Sequence, residues 1–463
     1  MDERALLAAV IASPDDDAPR LVYADWLLEH GHDGARARGE FIQCECAIAR
    51  LPDESTPRRA ALVRRAAELR RSERGWIADM LDGVFGPNPF EAAWDASWGF
   101  DRGLVTAYTR RSWSGTEVAR YLPSIQSRMP VTELEVHCRS VEDLRAFLTA
   151  EGVERLRSLR THLGQLSDDA IEILAQAQRL TELRSLRVAW FPGQYVDIAP
   201  LLSTDVFPHL GCLGIELPVG PFFFPRPGEP LAADALASLE GSPLSRTLRS
   251  FELSRNHLGE SGIRAICELP LDLESIAVSA GDVGHLVARL AAEPIRFRSL
   301  RAARFNVGSS EVGLGTDDLV AFLDQRPRIE AIHVKSGLSL AVDRLVASSD
   351  RARLRTLALP RCQVGDSGVR AIVAATHLCG LRELDLAGAE MSHESAAALV
   401  AAPHLQSLRR LDLSINRQIR AEPFVEARGF ADLEHLDLRE SSIQLRSSLF
   451  ERLYERYGAA VVM

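Results

Sequence analysis

Three copies of one pattern decide the fold of this chain: Leu381-Arg-Glu-Leu384-Asp-Leu386, Leu408-Arg-Arg-Leu411-Asp-Leu413 and Leu433-Glu-His-Leu436-Asp-Leu438. The copies begin 27 and 25 residues apart. Alternating apolar residues at the fourth and sixth positions fit a short strand with one buried face, because successive side chains of a strand point to opposite sides. The pattern therefore predicts equivalent strands at equivalent places in a repeat.

With aliphatic substitutions, the same pattern fits twelve places along the chain. The starts are Val131, Leu156, Leu183, Leu210, Leu248, Leu273, Leu300, Ile329, Leu354, Leu381, Leu408 and Leu433. Successive starts lie 25, 27, 27, 38, 25, 27, 29, 25, 27, 27 and 25 residues apart. A unit of this size cannot bury its own apolar face, so its stability has to come from stacking on neighbouring units.

A helix is predicted after each strand. In Asn256–Ile266 and Cys362–Ile372 the spacing of apolar residues changes from two to three, as expected where a strand gives way to a helix. We predict an α/β fold, a leucine-rich-repeat solenoid with parallel strands on its concave side and helices on its convex side.

The repeat of 25 to 29 residues resembles the ribonuclease-inhibitor-like class of leucine-rich repeats. That class carries Asn or Cys at the ninth position, where the side chain satisfies backbone groups of the turn. Asn256, Cys362 and Asn416 match, whereas most units have Gly, Ala, Ser, Phe or Pro there. The resemblance implies a binding surface and suggests, by analogy, an inhibitor of another protein.

Residues 1–51 contain no repeat and read as three short amphipathic helices, a small helical domain. They resemble the N-terminal repeat-companion domain of bacteria, found mostly in myxobacteria and planctomycetes. The resemblance rests on Arg20, Tyr23, Asp25, Trp26 and the run Arg38-Gly-Glu40-Phe41-Ile42. It implies no activity, and we interpret Tyr23 and Trp26 as core residues.

Three segments follow this domain. We predict a connecting basic helix within 52–85, an N-terminal cap of the solenoid over 86–130, and the solenoid itself over 131–463 with a C-terminal cap at 443–463. The connector is expected to be one helix from Arg58 to Leu81 with a solvated arginine face, and the N-terminal cap a Trp-rich hairpin turning at Asp101-Arg-Gly103.

Composition limits the class of partner. Hydrophobic residues make up 46% and charged residues 25%, as in ordinary folded proteins, and a net charge of -10 lacks the positive field of a phosphate-neutralising nucleic-acid binder. No apolar stretch approaches the roughly 18 residues of a membrane span, no secretory signal opens the chain, and the seven cysteines show no zinc or disulfide spacing. We expect a monomeric cytoplasmic protein that binds neither nucleic acid nor membrane.

Motifs for chemistry are missing from the sequence. It has no phosphate-binding loop, dinucleotide fingerprint, zinc-protease motif, nucleophile elbow or calcium loop. His30-Gly-His32-Asp33 falls at a helix end, where a protonated histidine favours the helix dipole, and is not interpreted as a metal site. We therefore predict no enzymatic activity, no cofactor and no metal.

The odd-numbered positions of each strand point away from the core and form the concave surface. In the first units this surface carries Glu133, Glu135, His137, Arg160, His162 and Arg187. In the last three units it carries Glu383, Asp385, Arg410, Asp412, His435, Asp437 and Arg439, which we call the acidic strip. Three of its aspartates share one column about 5 Å apart. The strip is either a docking surface for a basic partner or a set of charges compensated by its own arginines.

The 38-residue interval carries about eleven extra residues, including Pro221-Phe222-Phe223-Phe224-Pro225-Arg226. Three consecutive phenylalanines cannot all face inward from an extended segment. We predict that Phe222, Phe223, Phe224 and Arg226 form a partner-binding loop, since exposed aromatic and arginine side chains are typical of binding hot spots. The alternative is a loop that folds back over a thin part of the solenoid.

The predicted function is a non-catalytic intracellular protein–protein interaction module or scaffold. Two alternatives remain open. One is an inhibitor or immunity protein that binds and neutralises a toxin or enzyme. The other is the substrate-recognition part of an effector-type enzyme, which would need a catalytic domain within residues 1–130.

Overall fold

A computed structural model gives the structure of the chain. It describes residues 2–52, 56–82, 84–85, 96–110, 113–164, 168–190, 197–216, 233–254, 258–269, 271–293, 297–307, 313–336, 339–420, 422–426, 430, 433–442, 448–457 and 460–462. The chain divides into two compact units. Unit 1 comprises Met1–Leu51 and Arg65–Leu248, and unit 2 comprises Pro52–Arg64 and Arg249–Met463.

In unit 1, the strands follow one another in the sheet in sequence order. They are β1 (Ala96–Asp101), β2 (Leu104–Arg110), β3 (Glu133–Cys138), β4 (Ser158–Leu163), β5 (Ser185–Trp190) and β6 (Cys212–Glu216). β1 and β2 pair antiparallel, and each later strand pairs parallel to the one before it. β2 therefore lies beside the first repeat strand, as expected for a hairpin that caps a solenoid.

The β1–β2 hairpin turns through Arg102 and Gly103, both with positive φ (45° and 81°). Two successive residues of this kind match the twist of the flanking strands. Gly103 is also required for close packing, because a Cβ there would lie 2.4 Å from the Cα of Ile42. The predicted turn at Asp101-Arg-Gly103 is therefore tied to the packing of the N-terminal helices.

The helices of unit 1 fall into an N-terminal group and a group that alternates with the repeat strands. They are α1 (Glu3–Ala12), α2 (Asp17–His30), α3 (Asp33–Arg50), α4 (Pro57–Arg70, shared with unit 2), α5 (Glu73–Met80), α6 (Gly115–Gln126), α7 (Val141–Thr149), α8 (Asp168–Ala175), α9 (Ala199–Ser203), α10 (Ala233–Ala237) and α11 (Leu244–Thr247). A 3₁₀ turn at Val153–Arg155 follows α7.

The N-terminal helices enclose two polar residues of the quoted motif. Arg20 is fully buried, donates to the carbonyl of Pro14 and lies 3.3 Å from Oδ2 of Asp101. Tyr23 is also fully buried, and its hydroxyl donates to Glu3 at 3.0 Å and accepts from Arg38 at 2.6 Å. Buried polar groups need partners of this kind, so both motif residues have structural roles.

The connector is not one helix, and the prediction of a single helix from Arg58 to Leu81 is wrong. α4 ends at Arg70, where the N–H groups of Arg71 and Ser72 bond to carbonyls three residues back, as is common at helix ends. α5 then begins at Glu73. Ser72 and Gly75 are weaker helix formers than the Ala and Leu of α4, so an interruption costs little there.

Unit 2 contains the remaining repeat strands. They are β7 (Ser250–Ser254), β8 (Ser275–Ala280), β9 (Ala302–Val307), β10 (Ala331–Lys335), β11 (Thr356–Ala358), β12 (Glu383–Asp385), β13 (Arg410–Asp412), β14 (His435–Asp437) and β15 (Val461–Val462). Each pairs parallel to the next. The helices between them are α12 (Gly259–Glu268), α13 (Val283–Ala292), α14 (Thr316–Asp324), α15 (Val342–Val346), α16 (Gly365–Ala374), α17 (His393–Ala401), α18 (Glu422–Glu426) and α19 (Ser448–Tyr457), with 3₁₀ turns at Ser349–Arg353, Thr376–Gly380 and Pro403–Leu405.

The repeat spacing sets the register of both units. Each strand from β3 to β14 begins two residues after one of the twelve pattern starts. The inward leucines are buried, as for Leu384, Leu411 and Leu436, each exposed by at most 1%. Burial of such a side chain contributes about 1.5 to 3 kcal/mol. The predicted α/β class, with parallel repeat strands, helices and a helical N-terminal region, is confirmed.

The ninth position of a repeat serves the backbone. Nδ2 of Asn416 donates to the carbonyls of Leu386, Leu413 and Ser414 at 2.8, 2.9 and 3.2 Å. Cys362 occupies the equivalent place two units earlier and donates through Sγ to the carbonyl of Val334 at 3.2 Å. These side chains bond both to their own turn and to the preceding repeat.

Arg59 of α4 is bound within unit 2 rather than solvated. Its Nε lies 2.9 Å from Oε1 of Glu434, and Arg409 binds the same carboxylate through two nitrogens at 2.8 Å each. All three side chains are largely buried, with 11 to 15% exposed. A buried carboxylate needs compensation of this kind, and the expectation of a solvated arginine face does not hold for Arg59.

Replacement of Asn416 by Ala is expected to destabilise unit 2 by about 1 to 3 kcal/mol, because the hydrogen bonds that its amide donates to the carbonyls of Leu386, Leu413 and Ser414 are lost. Urea unfolding followed by circular dichroism measures the change. Gln418→Ala, an exposed position in the same turn, is the matched control and should stay within about 0.5 kcal/mol of the parent. Equal midpoints for the two variants would contradict the assigned role of Asn416.

Candidate partner-binding surface

The third, fifth and seventh positions of each repeat form one side of the sheet, which we call the open face. In unit 2 these positions are half-buried or exposed on most strands, whereas the even positions are buried. In-register pairing aligns equivalent positions into columns that cross the strands. The acidic strip occupies the open face of β12, β13 and β14.

Asp385, Asp412 and Asp437 are direct neighbours in one column, paired in register across β12, β13 and β14. Oδ1 of each accepts the backbone N–H two residues later, at 2.9, 2.9 and 3.0 Å. This short-range bond is a common way for an aspartate to shape a turn. Each carboxylate thus ends its strand while it adds charge to the open face.

Two of these three carboxylates have no cationic partner in the described structure. The ion pairs described on the strip join Arg410 to Glu383 at 3.6 Å and Arg439 to Asp437. Asp437 is 2% exposed, and Arg439 Nε lies 2.9 and 3.0 Å from its two oxygens. The strip's own arginines therefore compensate only part of its negative charge. Neither of them forms an ion pair with Asp385 or Asp412 in the described structure.

The electrostatics of the column are concentrated at Asp385. Burial, followed by the neighbouring charges of Asp412 and Asp437, raises the pKa of Asp385 to about 6, against the bond from Ala387 that favours the ionised form. A cation placed next to this carboxyl group would stabilise its ionised form. Burial and the Arg410 guanidinium lower the pKa of His435, which favours its neutral form on the same surface.

The open face of β9 and β10 has the opposite character. Arg304 and Lys335 are exposed there, and His333 pairs in register with Arg304. Burial, together with these two cations, lowers the pKa of His333 to about 4. Ala358 follows in the same column before Asp385 begins the acidic part. The open face therefore changes from basic on β9 and β10 to acidic on β12, β13 and β14.

The open face of unit 1 carries a second cluster, formed by Glu135, His137 and His162. His162 lies opposite His137 across β3 and β4, with the two imidazoles stacked at 4.1 Å and tilted by 2°. Nε2 of His162 lies 2.7 Å from Oε1 of Glu135, and Nε2 of His137 lies 3.6 Å from the same oxygen. His137 and His162 hold the pKa of Glu135 well below its ordinary value, although burial opposes them.

The odd-position columns place all three residues of this cluster on the open face. Sequence reasoning did not predict that the three side chains contact one another. The available signal was the 25-residue interval between Val131 and Leu156, which sets His137 directly opposite His162. The predicted loop residues Phe222, Phe223, Phe224 and Arg226 lie outside the residues that the structure describes, as does Asn256.

Comparisons with known proteins concern the repeats. The Leucine Rich repeat family model matches residues 244–267 and 354–373, which include the two segments with the clearest predicted turn and helix. No curated protein matches the chain significantly in sequence. The chain is similar to one in the crystal structure of the Rad7 and Elc1 complex in yeast, with a TM-score of 0.51 and 16% identity over 83% of this chain and 90% of that chain. At this identity the likeness concerns the fold alone.

None of the helices in the described ranges combines the length and the apolar character of a membrane span.

Asp385→Asn is expected to stabilise unit 2 at neutral pH. The folded-state pKa of about 6 lies above the unfolded value of about 3.8, so ionisation of Asp385 destabilises the folded state. This destabilisation is small near pH 4 and grows until the pH passes 6. After discounting for the partial exposure of the group, the gain at pH 7 is on the order of 1 kcal/mol. Asparagine keeps the oxygen that accepts from Ala387.

Urea unfolding at pH 4 and pH 7 measures this difference. Asp350→Asn, an exposed change in the Ser349–Arg353 turn of the same unit, is the control with the same change in charge. A loss of stability at pH 7, or an equal gain at both pH values, would show that ionised Asp385 does not destabilise the folded state.

Proposed function

We propose that this chain is a non-catalytic protein-binding module or scaffold, and that it holds a basic partner on the acidic strip of unit 2. The observation that carries the proposal is the pair Asp385 and Asp412, neighbouring carboxylates that form no ion pair in the described structure. Aligned like charges cost free energy. A cationic group from a partner would remove that cost on binding.

The spacing of the column favours a particular partner geometry. Adjacent strands lie about 4.8 Å apart, which is close to the 5.4 Å rise of one helical turn. Alternate side chains of an extended peptide lie about 6.8 Å apart and fit less well. A helix with Arg or Lys at every third or fourth residue is therefore the partner surface that best matches Asp385, Asp412 and Asp437.

The Phe222–Phe224 segment with Arg226 is proposed as a second contact surface, on the sequence argument alone. Its aromatic residues would supply apolar contact area and Arg226 a positive charge, residue types that are enriched in protein interfaces.

The strip is tested by affinity capture on the immobilised full chain, followed by affinity measurement with the recovered partner. Asp385→Asn/Asp412→Asn should weaken binding at least about tenfold, or about 1.4 kcal/mol. Asp343→Asn/Asp350→Asn removes the same charge at exposed positions of α15 and the next turn and should leave the affinity unchanged. Equal losses of affinity in the two variants would show that only the net charge of the chain matters, and would overturn the assignment of the strip.

A parallel variant with Phe222, Phe223 and Phe224 replaced by Ser tests the aromatic segment. Unchanged affinity in this variant, with loss in the aspartate variant, would remove the segment from the proposal and leave the strip. Unchanged affinity in both variants would contradict both surfaces.

Partner binding is expected to depend on pH near 6. A basic group next to Asp385 lowers its pKa from about 6, so binding below that pH requires release of a proton. Affinity should be level above pH 7 and fall by up to about tenfold per pH unit as the pH drops below 6. Titration of the affinity from pH 5 to 7.5, with Asp385→Asn as the variant that lacks the dependence, measures this effect.

A further inference from the structure

The Glu135, His137 and His162 side chains converge from two rigid strands. Glu135 and His137 are two residues apart on β3 and so point to the same side of the sheet, and His162 is opposite His137 on β4. One nitrogen from each imidazole and one carboxylate oxygen lie within 4.8 Å of one another. Side chains held on paired strands keep such a geometry better than side chains on loops.

The hydrogen bonds of the cluster leave one ring nitrogen, Nε2 of His137, without a partner among the described residues. An ionised carboxylate can only accept, so Nε2 of His162 has to carry the proton in its 2.7 Å bond to Glu135. Nε2 of His137 is buried and has no hydrogen-bond partner among the described residues. Its 3.6 Å distance from Glu135 Oε1 exceeds a hydrogen bond. A cation bound by both imidazoles and the carboxylate would replace the bond between His162 and Glu135, and the proton on Nε2 of His162 would move to Nδ1 or be released to solvent.

We propose that Glu135, His137 and His162 bind a divalent transition-metal ion of the zinc type. Two imidazole nitrogens and one carboxylate oxygen are ligands that Zn²⁺ and its neighbours in the first transition row take, whereas Mg²⁺ and Ca²⁺ prefer oxygen ligands throughout. Ligand atoms around a tetrahedral zinc ion lie roughly 3.3 Å apart. The two imidazole planes are parallel to within 2°, so at least one ring has to turn about its side-chain torsions before the lone pairs of both rings reach one ion.

The surroundings of the cluster are compatible with a cation. Arg160 lies opposite Glu135 in register, but its guanidinium forms an ion pair with Glu216 on β6. The three ligand side chains are between 20 and 29% exposed. Three protein ligands leave at least one coordination position of the ion open to solvent. The site therefore resembles an accessible metal site more than a closed structural one.

Metal binding is tested on the full chain with Zn²⁺ by calorimetry, and with Co²⁺ by its visible absorption. The parent should bind one Zn²⁺ at this site, and Co²⁺ should give the intense d–d bands of a low-symmetry, four- or five-coordinate ion. His137→Gln/His162→Gln should weaken this binding by more than the roughly 10- to 100-fold that loss of an outer-sphere group costs. Both positions are on the surface of the sheet, and circular dichroism checks that the variant stays folded.

Two controls separate this site from adventitious binding. His285→Gln removes an exposed histidine of α13 in unit 2, and Cys379→Ser removes an exposed thiol. Neither change should alter the affinity or the Co²⁺ spectrum. The proposal is overturned if the parent shows no such binding, if the double histidine variant binds as tightly as the parent, or if either control abolishes the signal.

Discussion

The structure depends on one constraint: a repeat of about 27 residues cannot cover its own leucines and must place its strand in register beside the next. Parallel pairing satisfies the backbone and buries the even positions of each strand at the same time. The same pairing aligns the odd positions of neighbouring strands with one another, whatever residues occupy them. Columns of like residues on the open face are a consequence of packing, and their chemistry is free to differ from one unit to the other.

The features that periodicity controls were accessible from the sequence. Because the leucine spacing specifies which residues face inward, the start of every repeat strand from β3 to β14 followed from it, and so did the neighbours within the aspartate column. Features that depend on distant or three-dimensional contacts did not follow. The bond between Arg59 and Glu434 joins residues 375 positions apart, and the break after Arg70 reflects a local balance too small for a pattern to reveal.

Charge on the open face had to be seen in three dimensions. Sequence reasoning gave two alternatives for the acidic strip, a docking surface or internal compensation, and the contacts show internal compensation for only part of the strip. Asp437 is compensated by Arg439, while among the described residues Asp385 and Asp412 each accept one backbone N–H bond and form no ion pair. Carboxylates kept in a costly arrangement are a common property of surfaces where stability is traded for binding.

Unit 2 is discontinuous in sequence, since residues 52–64 belong to it and the rest begins at 249, and the bond between Arg59 and Glu434 joins its two parts. At ribosomal rates of about 5 to 20 residues per second, Arg59 emerges roughly 20 to 75 seconds before Glu434. The unit is thus completed only when its last repeats have been synthesised. A protease that cuts the chain between 248 and 249 would leave the second fragment without Arg59, one of the two arginines that bind Glu434.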